Sequence, residues 1–197
     1  MTKPKNYFLL KMFLDAYIVS ASLFLLLLII RTFIVLRSIQ NAKTHGAVSR
    51  RKSPMKTLVV LGSGGHTTEM LHLLKNLNPK HYDPLIYIVA TTDSTSLRRV
   101  EAFGGRQPDQ IFRIPRSREV GQSYITSIAT TLWSFVHAFG LVLRIRPNLL
   151  LCNGPGTCLP IAICTFFFRI VGICEGIIVF VESFCRVTRY VLFWFLY

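Results

Sequence analysis

Acidic residues are scarce in this sequence, which has 9 Asp and Glu against 23 Lys and Arg and a formal net charge of +14. A balance of this sign suits a nucleic acid, an anionic membrane surface or a phosphorylated substrate. Nucleic-acid-binding domains more often show a basic stripe interleaved with aromatic residues, whereas the basic residues here are spread along the chain. We therefore expect a membrane surface and a diphosphate as partners, and no nucleic acid.

The cysteines lack the spacings that build metal or disulfide sites. None of the five forms a CxxC pair, and no Cys/His pair has zinc-finger spacing. An odd, scattered set that lies mostly in apolar runs fits a reducing compartment better than a disulfide framework. The five are Cys152, Cys158, Cys164, Cys174 and Cys185. The sequence therefore predicts neither a disulfide scaffold nor a bound metal.

No small-x-small cleavage site follows the first apolar run, so we interpret this run as a membrane anchor rather than a removed signal peptide. Residues 16–30 are apolar or small, and residues 32–36 extend the run past Arg31 to about the twenty residues that a bilayer demands. More basic residues follow the run than precede it, which places the following segment in the cytosol. We expect an anchor within residues 1–37 and a basic linker at residues 38–55.

Strand-like and helix-like patterns alternate from residue 56 onward, without an internal repeat. The predicted strands are residues 58–61, 85–90, 110–114, 148–152 and 177–181. The predicted helices are one capped by Thr67 or Thr68, then residues 94–103, 124–145 and 159–171. This alternation predicts an α/β fold with a single Rossmann-like parallel sheet and right-handed crossovers. We expect one domain at residues 56–189, followed by an apolar tail at residues 190–197.

A glycine turn after the first strand is the strongest sign of a binding site. Gly62, Gly64 and Gly65 follow the apolar run LVVL, and glycine lets the backbone take positive φ and lets a ligand approach closely. A strand, a glycine turn and a helix start together form an anion site, at which phosphate or diphosphate is the usual ligand. The turn lacks the G-x-G-x-x-G of dinucleotide-binding folds and the Lys of a Walker loop. A turn that binds nothing stays an alternative.

Other loops reach the same edge of the predicted sheet, beyond the carboxyl ends of the strands, where open α/β sheets bind ligands. Two arginines follow the third strand, and a second glycine turn follows the fourth. The candidate diphosphate-binding residues are Gly62, Ser63, Gly64, Gly65, His66, Thr67, Arg116, Arg118, Asn153, Gly154, Gly156 and Thr157. Two such glycine turns in one sheet are more specific than one.

Two residues at this edge are candidate bases for a transfer reaction, His66 in the first turn and Glu182 after the fifth strand. His66 alternatively caps or packs, and Glu182 alternatively pairs with Arg186. Asp93, after the second strand, is as plausible as a helix cap as it is as a ligand-binding carboxylate. The two arginines on their own are also typical of a solvated charged loop.

The predicted helix at residues 124–145 carries no formal charge before Arg144. Apolar residues recur along it at helical spacing, namely Ile125, Ile128, Leu132, Phe135, Phe139 and Leu143. A second membrane span is possible by length, but the hydroxyl side chains lower its hydropathy. We expect a helix that packs on the sheet or rests in the membrane interface. A buried core helix without lipid contact stays an alternative.

Four motifs carry a family resemblance: LGSGGHTTEM, IPRSREVGQS, NGPGTC and VESFCRVTR, in this order behind an apolar N-terminal run. They are similar to the membrane-anchoring subunit of the endoplasmic-reticulum UDP-N-acetylglucosamine transferase of asparagine-linked glycosylation, over residues 56–189. That family resembles the N-terminal, acceptor-side half of the glycosyltransferase-B fold, as in the bacterial peptidoglycan lipid-linked N-acetylglucosaminyltransferase. The resemblance implies the same half-fold here.

The resemblance also implies a partner, a soluble catalytic subunit that supplies the UDP-sugar-binding half and is recruited to the cytosolic membrane face. Together the two subunits add the second N-acetylglucosamine to dolichyl-diphosphate-N-acetylglucosamine, with UDP-N-acetylglucosamine as the donor and no metal or cofactor. The family continues after residue 189 with a helix, a strand and a partner-binding segment, whereas this sequence reads YVLFWFLY there. A membrane-bound nucleotide-dependent oxidoreductase and a non-catalytic scaffold with a degenerate site remain as alternative functions.

Overall fold

The computed structural model describes residues 5–45, 53–117, 122–154 and 156–182. The chain forms two compact units. One is centred on α1 (Lys5–His45), and the other contains the sheet and most of the residues of the helices that cover it. The expected tail at residues 190–197 lies outside the described residues.

The helix α1 has 41 residues, and its stretch Leu9–Gln40 is long and apolar enough to cross a membrane. Large apolar side chains are exposed around most of its circumference, a distribution typical of a membrane span rather than of an amphipathic surface helix. The helix continues through residues 38–45, where we expected the linker to have begun. This segment contains neither Gly nor Pro, so nothing in it breaks the helix.

Five parallel strands form one sheet in the order β3-β2-β1-β4-β5. The strands are β1 (Thr57–Val60), β2 (Leu85–Ala90), β3 (Gln110–Ile114), β4 (Leu149–Cys152) and β5 (Ile177–Phe180). Thr57 of β1 lies opposite Leu85 of β2 and Leu149 of β4. All residues of β1, β2 and β4 are buried, as continuous apolar runs in a parallel sheet require. The predicted Rossmann-like parallel sheet behind an N-terminal apolar helix is confirmed, with strand bounds within one residue.

Two helices cover each face of the sheet. They are α2 (Gly65–Lys75) and α3 (Ser94–Ala102) on one face, and α4 (Tyr124–Ile145) and α5 (Cys158–Val171) on the other. Alternate residues serve the two cores, since Leu58 and Val60 of β1 pack towards α4 and α5, whereas Val59 and Leu61, the residue that follows the strand, pack towards α2 and α3. Each such side chain contributes about 1.5–3 kcal/mol when fully buried. The central strand therefore holds both helical layers to one sheet.

Hydroxyl groups fasten α4 to the end of β3. Ser134 Oγ donates to the carbonyl oxygen of Pro115 at 3.0 Å, and Thr131 Oγ1 donates to that of Ser117 at 3.0 Å. On the same side of the helix Ala138 and Val142 are buried in the core. The helix thus packs on the sheet, one of the expected arrangements, and its hydroxyls satisfy backbone acceptors at the sheet edge.

Candidate functional site

The candidate site lies where β1 and β4 end side by side. The strand order reverses at this pair, and crevices at such reversals bind ligands in open α/β sheets. Gly62 follows β1, and a Cβ atom added to it would lie only 2.6 Å from the carbonyl oxygen of Asn153, after β4. A Cβ atom on Gly154 would lie 3.3 Å from Cδ2 of His66. The two glycine turns therefore face and contact each other.

The first turn passes directly into α2 at Gly65, so the N-cap lies at least three residues earlier than expected. Gly64 is the N-cap residue, with a φ of 69°, and no side-chain hydrogen bond caps this helix within the part of the chain that the structure describes. The expected cap by Thr67 or Thr68 is wrong, because the left-handed Gly64 lets the helix begin before either threonine. The amide groups of the first turn of α2 are thus left to a ligand, with the positive end of the helix dipole behind them.

Thr67 is buried and holds the turn from below. Its Oγ1 donates to the carbonyl oxygen of Gly62 and lies 2.7 Å from Oγ of Ser96 on α3. Ser96 Oγ in turn donates to Asp93 at 2.6 Å. The hydroxyl of Thr67 is therefore engaged within the protein, and Thr67 offers a ligand its backbone amide rather than its side chain.

His66 forms a cluster with two other polar residues at the junction of the turns. Its Nδ1 atom lies 3.6 Å from Oε2 of Glu69, and its side chain is 36% exposed. Asn153 Nδ2 donates to the same Glu69 oxygen at 3.1 Å and to the carbonyl oxygen of His66 at 3.3 Å. Sequence reasoning identified His66 and Asn153 but missed Glu69. Its three-residue spacing from His66 is the helical signal that would have found it, once α2 is known to begin at Gly65.

Only one orientation of the side-chain amide of Asn153 satisfies its neighbours. Both groups near Nδ2 are acceptors, so the nitrogen must face them. Oδ1 of Asn153 and Nδ1 of His66 are buried without a hydrogen-bond partner among the described residues. An amide oxygen accepts from N–H or O–H groups and repels phosphate oxygens. The side chain of Asn153 is fully buried, so its amide joins the two turns within the protein rather than presenting itself to a ligand.

Arg99 brings a positive charge to the first turn. From α3, its Nη1 atom donates to the carbonyl oxygen of Gly64 and to Oγ1 of Thr68, the latter at 3.2 Å. Guanidinium groups at such positions favour anionic ligands. Sequence reasoning missed Arg99, because no spacing rule links a helix residue to a turn 35 positions earlier.

Two other predicted residues, Arg116 and Glu182, lie farther along the sheet edge. Arg116 is half-buried after β3, and Glu182 is exposed after β5. Each of these strands is two positions from β1, which places the strand ends roughly 10 Å apart laterally. Arg118 lies outside the described residues, as does Arg186, the alternative partner of Glu182. The structure thus separates Arg116 and Glu182 from the contact between the glycine turns.

The second turn leads into α5. Gly154 has a φ of 92°, and Gly156 faces open space. Thr157 is buried just before α5, whereas Ser63 in the first turn is exposed. The two turns therefore combine buried, structural positions with open ones at which a ligand can approach the backbone.

Asp93 is the N-cap of α3. Its carboxylate accepts from the backbone N–H of Ser96 at 3.0 Å and from the hydroxyl of the same residue. The cap, one of the two expected roles, is confirmed. A nicotinamide-dependent oxidoreductase needs a carboxylate at the end of the second strand for the ribose, and here that carboxylate is buried and engaged. The oxidoreductase alternative loses its main support.

A family model described as "Oligosaccharide biosynthesis protein Alg14 like" matches residues 57–193. The chain is 45% identical over 170 residues to the UDP-N-acetylglucosamine transferase subunit ALG14 of Homo sapiens, covering 81% of this chain and 74% of that one. It is 36% identical over 178 residues to the subunit of the same name in Yarrowia lipolytica, covering 87% and 81%.

Among solved structures, a crystal structure of UDP-N-acetylglucosamine 2-epimerase is similar with a TM-score of 0.49 and 20% identity. The similarity covers 70% of this chain and about a third, 34%, of that one. The family match extends from β1 to beyond β5 and so includes both glycine turns and the cluster of His66, Glu69 and Asn153. The chain belongs to the Alg14-like family of oligosaccharide biosynthesis proteins.

Proposed function

We propose that this chain is the membrane-anchoring, acceptor-binding subunit of a heteromeric UDP-N-acetylglucosamine transferase. A soluble catalytic subunit binds the donor, and the pair adds the second N-acetylglucosamine to dolichyl-diphosphate-N-acetylglucosamine at the cytosolic face of the endoplasmic reticulum. Family membership and the word "subunit" in the names of the relatives support this proposal. The observation that carries it is the contact between the two glycine turns, with His66 at their junction.

In this proposal the diphosphate of the acceptor binds at the start of α2. The uncapped amides, the helix dipole and the guanidinium of Arg99 all favour an anion there. The lipid tail stays in the bilayer, to which the apolar stretch Leu9–Gln40 of α1 anchors the chain as a single span. The basic segment that follows joins this anchor to a domain at residues 56–189.

His66 is the general base of the proposed reaction. The acceptor sugar hydroxyl attacks the anomeric carbon of UDP-N-acetylglucosamine, its proton passes to the imidazole, and UDP leaves with the electrons of the broken bond. A shift of less than about 1 Å turns the contact of 3.6 Å between Nδ1 and Glu69 into a hydrogen bond, which fixes the proton on Nδ1. Nε2 is then the acceptor. His66 is preferred over Glu182 because it lies at the junction of the turns.

The test separates transfer from recruitment. The full chain and its His66→Ala variant are each co-expressed with the soluble catalytic subunit, and membranes are assayed with UDP-N-acetylglucosamine and a polyprenyl-diphosphate-N-acetylglucosamine acceptor. Loss of a general base lowers kcat by about 10²–10⁴-fold, while the amount of catalytic subunit bound to membranes stays unchanged. His72→Ala, an exposed histidine on the same helix, is the control. Full transfer activity of the His66→Ala variant overturns the assignment of His66 as the general base. Failure of the wild-type chain to retain the catalytic subunit on membranes overturns the proposed function.

A further inference from the structure

The first glycine turn rests on the amino-terminal part of α3, which contacts it at both ends. Ser96 Oγ lies 3.2 Å from the carbonyl oxygen of Gly62, where the turn begins. One helical turn later, Arg99 donates to the carbonyl oxygen of Gly64, where the turn ends. Residues three positions apart lie on the same face of a helix. One face of α3 therefore supports the turn along its length.

The turn itself contains little that fixes its conformation. Three of residues 62–65 are glycine, which loses more conformational freedom on folding than any other residue. Gly64 has a φ of 69°, and no side chain caps α2 within the ranges that the structure describes. A capping side chain ties the start of a helix to the segment before it. Because Gly64 has no side chain to do so, the direction of the amide groups in the turn depends on contacts from outside it.

A buried row of oxygen atoms connects α3 with the turn. Ser96 Oγ donates to the carboxylate of Asp93 at 2.6 Å and lies 2.7 Å from Oγ1 of Thr67. Thr67 in turn donates to the carbonyl oxygen of Gly62. Ser96 and Thr67 are fully buried, and Asp93 is the N-cap of α3. Hydrogen bonds in such a buried network strengthen one another, so the row links the turn firmly to the start of α3.

The row determines where one backbone amide of the turn points. The peptide bond between Gly62 and Ser63 is trans, and in a trans peptide the carbonyl and the N–H point in opposite directions. The carbonyl oxygen of Gly62 faces the buried hydroxyl groups, so the N–H of Ser63 faces outward, at an exposed position of the turn. Hydroxyl groups in the core thus direct an amide at the surface.

We propose that Ser96 is a positioning residue for the diphosphate of the acceptor. It acts through Thr67 and the carbonyl oxygen of Gly62, which orient the amide of Ser63 towards a phosphate oxygen. Ser96 does not touch the ligand itself, since its side chain is fully buried. A group that is already held in its binding orientation loses less conformational freedom when the ligand binds. This inference rests on the proposed function, because it takes the acceptor diphosphate as the ligand of the turn.

The experiment compares Ser96→Ala with the wild-type chain, each co-expressed with the soluble catalytic subunit. Steady-state transfer is measured in membranes while polyprenyl-diphosphate-N-acetylglucosamine and UDP-N-acetylglucosamine are varied in turn. We expect the KM for the acceptor to rise about tenfold, the order of change that weakening one hydrogen bond to a charged group produces. The KM for the donor and kcat should stay close to the wild-type values, because the catalytic subunit binds the donor and His66 is unchanged.

Matched variants distinguish positioning from a loss of stability. Ser96→Thr keeps a hydroxyl group on the same carbon atom and should restore most of the acceptor affinity, even where the added methyl group lowers the melting temperature. Ser94→Ala removes an exposed hydroxyl group from the same helix and should leave the acceptor KM unchanged. If Ser96→Ala does not fold, Ser96→Cys fills the same site with a weak donor, and we expect it to raise the acceptor KM as well.

The outcomes separate this inference from the proposed function. Transfer by the wild-type chain, together with an unchanged acceptor KM in the folded Ala or Cys variant, overturns the positioning role and leaves the proposed function standing. An acceptor KM that follows the melting temperature of the variants, rather than the presence of a hydroxyl group at position 96, overturns the positioning role as well. Absence of transfer by the wild-type chain with its catalytic subunit overturns both.

Discussion

Asn153, at the end of β4, donates a hydrogen bond of 3.1 Å to the carboxylate of Glu69 on α2. This bond joins the two glycine turns through side chains, where the backbone contact between Gly62 and Asn153 already joins them. Both residues also contact His66. Asn153 donates to its carbonyl oxygen, and Glu69 lies 3.6 Å from its Nδ1 atom. Each of these contacts can therefore be tested by a substitution that changes a donor into an acceptor or removes the group.

Asn153→Asp replaces the donor at this bond by an acceptor of the same shape. The new carboxylate faces that of Glu69 in a buried site, so we expect the free energy of unfolding to fall by about 1–3 kcal/mol. Thermal unfolding in detergent measures it. Asn78→Asp is the control, because the exposed Asn78 accepts from the N–H of Lys80 at 3.0 Å and an aspartate accepts equally. If the two variants were equally stable, the hydrogen bond between Asn153 and Glu69 would be contradicted.

Gly62 and Gly65 differ in the space around them, so alanine at each tests a different property. At Gly62 the added Cβ meets the carbonyl oxygen of Asn153 at 2.6 Å, and we expect a loss of about 1–3 kcal/mol in stability. At Gly65 nothing lies within 4 Å, so stability should change by less than about 1 kcal/mol. If a diphosphate binds over the turn, Gly65→Ala nevertheless raises the KM for the acceptor. An unchanged KM would place the ligand elsewhere.

Arg99→Gln removes the guanidinium beside the first turn. We expect the KM for the diphosphate acceptor to rise about tenfold, the equivalent of about 1.4 kcal/mol, with a smaller change in kcat. Arg98→Gln is a matched control, because Arg98 is the exposed neighbour on the same helix. Steady-state transfer at several acceptor concentrations distinguishes the two. The same KM for both variants would show that Arg99 serves the turn and not the ligand.

The sheet was predictable because its signals are local. Residues 85–90 are a short apolar run with clear ends, residues 110–114 are a short segment in which three of five residues are Ile or Phe, and both strands have the predicted bounds. The start of α2 was predicted wrongly, because a threonine cap is the usual signal and a left-handed glycine cap leaves none in composition. Arg99 was missed for a related reason. Its contact with Gly64 depends on how α3 packs beside α2, which no spacing in the sequence encodes.

Tyr87 makes the stability of the domain sensitive to alkaline pH. Burial raises the pKa of Tyr87 to about 12 from its ordinary value of 10.0, partly opposed by the nearby Arg106, and its hydroxyl has no hydrogen-bond partner among the described residues. Below pH 10 the tyrosine is protonated in both states and its contribution is complete. Between pH 10 and 12 the unfolded chain loses the proton first, so the free energy of unfolding falls as pH rises.

Tyr87→Phe removes this dependence. Chemical unfolding of the two proteins at several pH values between 9 and 12 gives the difference, in which the other titrating groups cancel. At neutral pH we expect the variant to be as stable as the wild type or slightly more stable, because the lost hydroxyl is buried and unpaired. If the free energy of unfolding fell with pH in parallel for the two proteins, Tyr87 would not be the group responsible.

Glu69 should act on catalysis through His66. Removing an outer partner that orients a metal-bound histidine lowers metal affinity or activity by about 10–100-fold, and we expect Glu69→Ala to reduce kcat by a similar amount. Glu69→Gln should retain much more, because its amide oxygen still accepts from Asn153 and, after the same small shift, can accept from Nδ1 of His66. Glu101→Ala, at an exposed acidic residue of α3, is the control for lost charge.

A structural role alone would give a different pattern. If Glu69 only braced the turn, Glu69→Ala would lower thermal stability and raise the acceptor KM together with any loss of kcat. A positioning role changes kcat selectively, with the KM, the melting temperature and the retention of the catalytic subunit close to those of the wild type. Combining Glu69→Ala with His66→Ala decides between them. If the carboxylate works through the imidazole, the double variant is no slower than His66→Ala alone, whereas independent roles give losses that multiply.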